Sequence, residues 1–344
     1  MGPETLALIA LGTAGIIAAI PLLHLLEAAL GGDDLAGSWP LLALAAGVGL
    51  VVGAAGGILI GLPPDFRPQA AALGALFAAI ATVPARSAAA GGVRVALTAL
   101  VSCAVVYLPA CTLVFFIWFD PFATHLGVVD FGIGLPAVIG ACSVALATML
   151  PELRGAPTPP RRAPRGRAAV LSFVGLWIAV AAWLLGMELT IDSISRTILI
   201  SLLIMPVASA AMGAVVERVK HVANTGQGLA GAALAGLAAA IPTAAYLQPV
   251  LAVVTGLIAG AVCSLLPRGG YFVGGRLVLR TALFGALTGL LLLGLFANDT
   301  GMFSTGQPEV LFGQVLGSAT VMALALVVGL LLWLVSRRRA PRIG

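Results

Sequence analysis

Long apolar runs of about 20 residues, separated by short polar stretches, follow one another along almost the whole chain. A helix needs about 20 apolar residues to cross the hydrocarbon core of a bilayer, whereas a membrane β-strand needs only about 10. Backbone polar groups inside a bilayer must be paired within the protein, so only helices and closed barrels can span it. Runs of this length therefore predict membrane-spanning helices.

The composition also argues against a water-soluble fold. Hydrophobic residues make up 60% of the 344 positions, charged residues make up only 9%, and the mean hydropathy is +1.12. About a quarter of the residues of a soluble domain are charged. We therefore predict an all-α polytopic membrane protein with eleven transmembrane helices. Their approximate positions are 5–30, 40–62, 69–88, 92–118, 128–151, 168–188, 194–215, 226–243, 246–266, 276–297 and 308–336.

Basic residues are distributed very unevenly between the two sides of the predicted bundle. If the N-terminus lies outside, sixteen of the 18 lysines and arginines fall on the inner side, and only Arg67 and Arg196 fall outside. Basic residues concentrate in the cytoplasmic loops of membrane proteins. We therefore predict a multi-pass plasma-membrane protein with an outside N-terminus and a cytoplasmic C-terminus. The net charge of +5 then reflects topology and does not indicate binding of nucleic acid.

The segment PELRGAPTPPRRAPRGR, residues 151–167, has the composition of a linker because proline interrupts helices. It divides the chain into a first five-helix repeat (1–151), a basic Pro-rich cytoplasmic linker (152–167), a second five-helix repeat (168–297) and an eleventh helix with a short basic tail (298–344). Because five is odd, the second repeat would be inverted relative to the first, as in many transporters. We expect the linker and tail to contact anionic lipid headgroups.

Three stretches, in the same order along the chain, resemble motifs of the ammonium transporter family, Amt and its Rh relatives. VYLPACTLVF (106–115) is similar to V-Y-x-P-x-A-H-x-V-W, and VDFGIGLPAV (129–138) is similar to D-F-A-G-G-x-V-V-H. The third, at 228–263, is similar to G-A-x-x-G-x-x-A-G-L-x-x-x-T-P. The resemblance implies eleven helices per subunit, a homotrimer, and a narrow hydrophobic pore through each subunit. In the family, an outer aromatic site recruits ammonium, and two stacked phenylalanines and two facing histidines follow it.

Five positions correspond to the family's outer site. The outer tryptophan aligns with Phe115, its serine partner with Met187, and the two gating phenylalanines with Phe77 and Trp183. The aspartate of the second motif is Asp130, to which the resemblance assigns a structural role beside the outer site. An aspartate in the first turn of a helix also accepts hydrogen bonds from unpaired backbone N–H groups, so the residue alone predicts a helix cap.

The two pore histidines of the family are replaced. By alignment, the pore-lining positions are Val138 and Ala282. Arg280 lies two positions before Ala282, about one turn beyond Arg276. It either snorkels to the inner surface or reaches the inner pore mouth, where its charge would repel cations.

The few polar residues within or near the predicted helices leave alternatives open. His24 and Glu27 are spaced i, i+3 and could form a buried polar pair or a proton relay, although we favour a packing role near the membrane interface. His125 and His221 lie in predicted loops and are interpreted as surface residues. The four cysteines have no CxxC spacing and are interpreted as buried apolar residues rather than metal ligands.

Two hypotheses for the function follow. The first is a channel or transporter that passes ammonia, ammonium or another small neutral solute. The second is a non-conducting Amt-like sensor or partner subunit. An enzyme is not favoured, because no paired-carboxylate, Ser/His or metal-ligand pattern is present and no cofactor is implied. The short tail RRRAPRIG argues against a PII-type regulator, since family members that bind PII proteins use a longer inner tail.

Overall fold

The computed structural model describes residues 2–31, 35–87, 91–119, 128–150, 165–221, 226–266 and 274–338. Every regular element within these ranges is helical. The first part contains α1 (Pro3–Ala29), α2 (Leu35–Leu59), α3 (Arg67–Ala81), α4 (Val83–Ser87), α5 (Gly92–Ser102), α6 (Leu108–Phe119) and α7 (Ala141–Met149). The second part contains α8 (Gly166–Glu188), α9 (Ser193–Val219), α10 (Gly226–Thr243), α11 (Pro249–Leu265), α12 (Gly275–Phe296), α13 (Met302–Thr305) and α14 (Glu309–Arg338).

Two π-helical segments interrupt the first part of the bundle. Cys103–Tyr107 joins α5 to α6, and Leu135–Gly140 leads into α7. With contiguous segments joined, the described residues form eleven long helical units and the short helices α4 and α13. Seven of these units are long and apolar enough to cross a membrane, and two shorter units are also apolar. The all-helical membrane fold predicted from the apolar runs is therefore confirmed.

The fifth predicted span begins later than the apolar run suggested. We placed its start at about residue 128, but helix begins only near Leu135. The turn before it is bonded to another part of the bundle instead, because the N–H groups of Phe131 and Gly132 donate to the carbonyls of Pro242 and Ile241 at the end of α10. Apolar composition could not reveal this turn, since its backbone partners are more than a hundred residues away.

Small residues allow the helices to approach closely. A Cβ added to Gly12 of α1 would lie 2.9 Å from the Cα of Gly186 of α8, and one added to Gly15 would lie 2.5 Å from the backbone of Ala179. Apolar burial drives helix association weakly in lipid, so close van der Waals packing at such crossings contributes much of the stability. Each half also repeats one pairing scheme: α2 packs on α3 and α5, and α9 packs on α10 and α11.

The ends of the helices form two polar regions on opposite sides of the bundle. At one end, Asp130 before α7 lies near Tyr246 and near Asn298 after α12. At the other end, Glu27 of α1 lies near Arg86 of α4 and Gly275 of α12. We call these ends the Asp130 face and the Glu27 face; α7 and α12 run between them in opposite directions.

Candidate functional site

A cavity of about 740 Å³ opens at the Asp130 face. Loops and helix ends from both halves of the chain form its wall. The wall includes three aromatic rings and three carboxylates: Phe66, Phe131, Tyr246, Asp130, Glu188 and Asp299. Aromatic faces and carboxylates both attract cations, so the composition of this wall suits a small cationic solute.

Asp130 caps the helical unit that begins near Leu135. Its Oδ1 accepts a hydrogen bond from the N–H of Gly134 at 2.8 Å, and its Oδ2 accepts one from the N–H of Leu135 at 2.6 Å. The side chain is 2% exposed. Burial raises the pKa of Asp130 to about 6, although the backbone hydrogen bonds oppose the shift by favouring the charged form. Because the backbone uses both oxygens, this geometry is that of a structural cap.

Glu188 and Tyr246 are cavity residues that the sequence interpretation did not include. Glu188 is the last residue of α8, and its Oε2 is buried with no hydrogen-bond partner among the described residues. Tyr246 meets Phe131 edge to face, with ring centroids 6.2 Å apart. Burial raises the pKa of the Tyr246 hydroxyl to about 12, and the charges of Asp130 and Glu188 add to the shift. The position of Glu188 directly after Met187 was the signal available in the sequence.

The sequence matches the model of the Ammonium Transporter Family over residues 41–339. The chain belongs to the ammonium transporter family. No curated protein sequence matches this family member. Its fold is similar to that of Mep2 from Saccharomyces cerevisiae, with a TM-score of 0.80 and 19% identity over 100% of this chain and 91% of the yeast chain.

Two further structures share the fold of this ammonium transporter family member. The delta442 mutant of Candida albicans Mep2 gives a TM-score of 0.83 at 18% identity, covering 99% of this chain and 94% of the other. A structure described as "Sensor Amt Protein" gives 0.75 at 16% identity, covering 96% and 94%. Identity this low supports the fold and leaves the residue roles to be argued from the site.

The four residues aligned with the family's outer aromatic site are not brought together in the cavity wall. Met187 lines the cavity, but Trp183 and Phe77 are fully buried and are not among its lining residues. Trp183 lies one turn from Met187 along α8, and its Nε1 has no hydrogen-bond partner in the described part of the chain. The ring of Phe77 packs on Tyr107, with centroids 5.4 Å apart. The side chain of Phe115 lies outside the described residues.

Val138 and Ala282 lie on elements that pack against each other. Val138 belongs to the π-helical segment Leu135–Gly140, which contacts α12, the helix that carries Ala282. The two side chains are 4% and 8% exposed. Segments of π-helix occur frequently at functional sites because they displace helical side chains locally. The assignment of both residues to a pore remains a prediction from the resemblance.

Arg280 is buried and lies on a different face of α12 from Ala282. It is 3% exposed. Residues two positions apart on an α-helix, such as Arg280 and Ala282, are separated by about 200° around the helix axis. Burial at this level does not fit snorkelling to the surface. A role for Arg280 at the inner pore mouth remains a prediction, which this orientation does not support.

A buried polar cluster occupies the Glu27 face. His24 and Glu27 are 5% and 6% exposed, and Arg86 is 6% exposed. His24 Nδ1 lies 3.3 Å from Glu27 Oε2, and His24 Nε2 lies 2.8 Å from Ser38 Oγ. The packing role at the interface that we favoured for His24 and Glu27 is therefore too simple, because both belong to a network that joins three helices. The sequence interpretation placed Arg86 on the inner side with the other basic residues and missed its place in this cluster.

The remaining sequence interpretations concern isolated residues. His221 is exposed, whereas His125 lies outside the described residues. All four cysteines are buried and free of disulfides. Among the described residues, no group of three His, Cys, Asp or Glu side chains could hold a metal ion.

Proposed function

We propose that this chain is an Amt-type channel or transporter that passes ammonia, ammonium or another small neutral solute through an apolar path in each subunit. The observation that carries the proposal is the cavity at the Asp130 face, whose wall combines aromatic rings with the carboxylates of Asp130, Glu188 and Asp299. Carboxylates raise the local concentration of cations, and aromatic faces can replace part of a cation's hydration. The cavity therefore suits the recruitment of a small cation.

Beyond the cavity, the proposed path runs past Val138 and Ala282. Neither side chain can accept a proton, and carrying a charge through an apolar bore is costly. A cation recruited at the cavity must therefore lose its proton before it passes these residues. The solute that crosses is ammonia or another small uncharged molecule.

Several coarser features of the proposal come from the family and the charge pattern. We propose a homotrimer in the plasma membrane, with the N-terminus and the Asp130 face outside and the C-terminus in the cytoplasm. Two inverted repeats, 1–151 and 168–297, would build each subunit. The basic linker, of which residues 152–164 lie outside the described ranges, and the end of the tail, which also lies outside them, would contact anionic lipids. A PII-type regulator is not part of the proposal.

A non-conducting sensor is the second candidate function. The chain shares its fold with the structure described as "Sensor Amt Protein", and its predicted pore positions lack imidazoles. In such a protein, the cavity would bind its solute without passing it on. Both candidate functions predict that a solute binds at the Asp130 face, but only the channel or transporter predicts a flux of that solute across the membrane.

Uptake of labelled methylammonium separates them, measured in cells that lack their own ammonium transporters. The wild-type chain should raise uptake, and Val138→Phe should return it to the level of empty cells because the larger side chain fills the proposed path. Val335→Phe is the matched control, since Val335 lies on α14 and is 57% exposed. Uptake that is unchanged by Val138→Phe, or no uptake by a correctly inserted wild-type protein, would contradict conduction of this solute by the proposed path.

A further inference from the structure

The helix faces that carry the proposed pore residues lead to Glu27. Cys142 is four residues after Val138 and shares its face of the helix, and the charge of Glu27 acts on Cys142. Gly275 is seven residues before Ala282 and shares its face of α12. A Cβ added to Gly275 would lie 3.7 Å from the carboxyl carbon of Glu27. The Glu27 carboxylate therefore lies where both faces reach the far end of the bundle.

Arg86 is the counterion of this carboxylate, at a distance longer than a hydrogen bond. Its Nη2 donates to the carbonyl of Ala79 at 2.8 Å and lies 3.8 Å from Glu27 Oε2. Buried charges lose their hydration, and a buried ion pair is weak evidence for stability. Ionisable groups inside a membrane protein are more often functional. A structural role alone therefore explains this cluster poorly.

The Nδ1 atom of His24 faces two partners with opposite requirements. Arg86 Nη1 lies 3.2 Å from it and can only donate, whereas Glu27 Oε2 lies 3.3 Å from it and accepts when ionised. With a proton, Nδ1 donates to Glu27; without one, it accepts from Arg86. Both states have a partner, so the geometry accommodates a proton that comes and goes at Nδ1.

Ser38 connects the imidazole to the surface of the Glu27 face. Its Oγ lies 2.8 Å from His24 Nε2, and a hydroxyl can either donate or accept. Ser38 is 6% exposed and lies near the start of α2, and its neighbour Trp39 meets the imidazole edge on at 5.1 Å. The two ring nitrogens therefore have different partners, with Nε2 on the side of Ser38 and Nδ1 on the side of Glu27.

We propose that Ser38, His24 and Glu27 form a proton relay between the surface of the Glu27 face and the end of the conduction path. This inference rests on the proposed function, because the solute that leaves the apolar path as ammonia takes its proton here. As the Nδ1–H bond of His24 breaks and the nitrogen lone pair of ammonia forms the new N–H bond of ammonium, Nε2 takes the hydroxyl proton of Ser38, and a water molecule replaces that proton and leaves as hydroxide. The ring is then the Nε2–H tautomer with Nδ1 accepting from Arg86, and a half turn of the ring brings an N–H group back to the side of Glu27.

The groups that face His24 and Glu27 among the described residues set the electrostatics of the relay. Arg86 of α4 supplies the positive charge, and Cys142 of α7 supplies a thiol. Helix α2 contributes the uncharged Ser38 and Trp39. Helix α12 approaches Glu27 with Gly275, which has no side chain.

Histidine NMR tests the proton site directly because the chain contains only 3 histidines. Protein labelled with ¹⁵N-histidine is placed in lipid nanodiscs, and the loss of one signal in His24→Gln assigns His24. Changing the pH should shift the Nδ1 signal of His24, and Glu27→Gln should alter that shift. Glu4→Gln is the matched control, since Glu4 is an exposed acid in the first turn of the same helix. A His24 signal with the same pH response in Glu27→Gln and the wild type would overturn the proposal.

Flux measurements test the transfer to the solute. In proteoliposomes, His24→Gln should lower ammonia-driven alkalinisation by about 100-fold, the scale of general acid–base contributions. Glu27→Gln should lower it less, because the carboxylate only orients the Nδ1–H group, and Ser38→Ala should reduce it in a folded protein with Arg86 and Glu27 intact. Unchanged flux in a folded Ser38→Ala protein with unaltered His24 titration would overturn the relay. No flux in the wild type would overturn the proposed function and the transfer step, whereas the NMR coupling would still establish the proton site.

Discussion

Two buried carboxylates lie at opposite ends of the same bundle, and their partners differ. Asp130 is bonded to the backbone N–H groups of Gly134 and Leu135. Glu27 is surrounded by the side chains of His24 and Arg86. A backbone N–H cannot change its protonation, whereas an imidazole can.

This difference separates two uses of one chemical group. Asp130 fixes the start of a helical unit beside the cavity, so its role as a cap depends on a constant geometry. Glu27 lies beside the His24 imidazole, which can bind or release a proton, so its proposed role depends on a change in protonation. The following variants test this contrast in order of decreasing effect.

Removing Arg86 should cause the largest loss of stability. Arg86→Met leaves the Glu27 charge buried without its counterion, which costs about 3–5 kcal/mol. Thermal unfolding in nanodiscs measures the loss, and adding Glu27→Gln should recover most of it. Arg94→Met is the control because Arg94 is exposed on α5. Equal melting temperatures for Arg86→Met and Arg94→Met would show that the pair contributes nothing.

Removing the Asp130 cap should cost less. Asp130→Ala leaves two buried N–H groups without their acceptor, for a loss of about 1–2 kcal/mol. Asp130→Asn keeps one acceptor oxygen and should fall between that variant and the wild type in a thermal melt. Glu309→Ala, at an exposed position, provides the baseline. If Asp130→Ala and Glu309→Ala have the same melting temperature, Asp130 is not a stabilising cap.

The pH dependence should differ between Asp130 and its amide variant. The pKa of Asp130 is about 6 against an ordinary value of 3.8, so the folded state holds this proton more tightly than the unfolded state. The resulting stabilisation is complete at pH values below the ordinary pKa and is lost as the pH rises to about 6. The melting temperature of the wild type should therefore fall relative to Asp130→Asn across this window and stay parallel above it. Parallel behaviour throughout would contradict the raised pKa.

The smallest effect is expected at Glu188. Glu188→Gln removes a carboxylate from the cavity wall and should weaken apparent affinity for the transported cation by about fivefold, as for a solvated ion pair. The maximal flux and melting temperature should stay unchanged. Methylammonium concentration curves measure the effect, with Glu309→Gln as the control on an exposed acid outside the cavity wall. An identical apparent affinity for both variants would show that Glu188 does not contribute to recruitment of the cation.

The membrane fold could be predicted from the sequence because lipid imposes one rule on every span. Apolar runs long enough to cross a bilayer have few alternatives to helix, and Asp130 has the position of a helix cap. The start of the fifth unit was missed because the turn at residues 131–132 is bonded to the distant carbonyls of Ile241 and Pro242. Local composition contains no information about such partners.

The polar sites were harder to predict because each is assembled from distant segments. Glu188 and Tyr246 meet across the cavity, and Arg86 reaches His24 from 62 positions away. Alignment to the family's motifs predicted outer-site roles for Phe77 and Trp183, but their side chains are buried and do not line the cavity wall. A motif transfers the scaffold more reliably than it transfers the residues that differ between family members.

Stopped-flow ammonia uptake into proteoliposomes measures whether a conducting path joins the two faces. Vesicles containing the wild-type protein should alkalinise faster than empty vesicles, Val138→Phe should remove the difference, and Val335→Phe should keep it. The account is contradicted if correctly inserted wild-type protein alkalinises no faster than empty vesicles, or if Val138→Phe conducts as well as Val335→Phe.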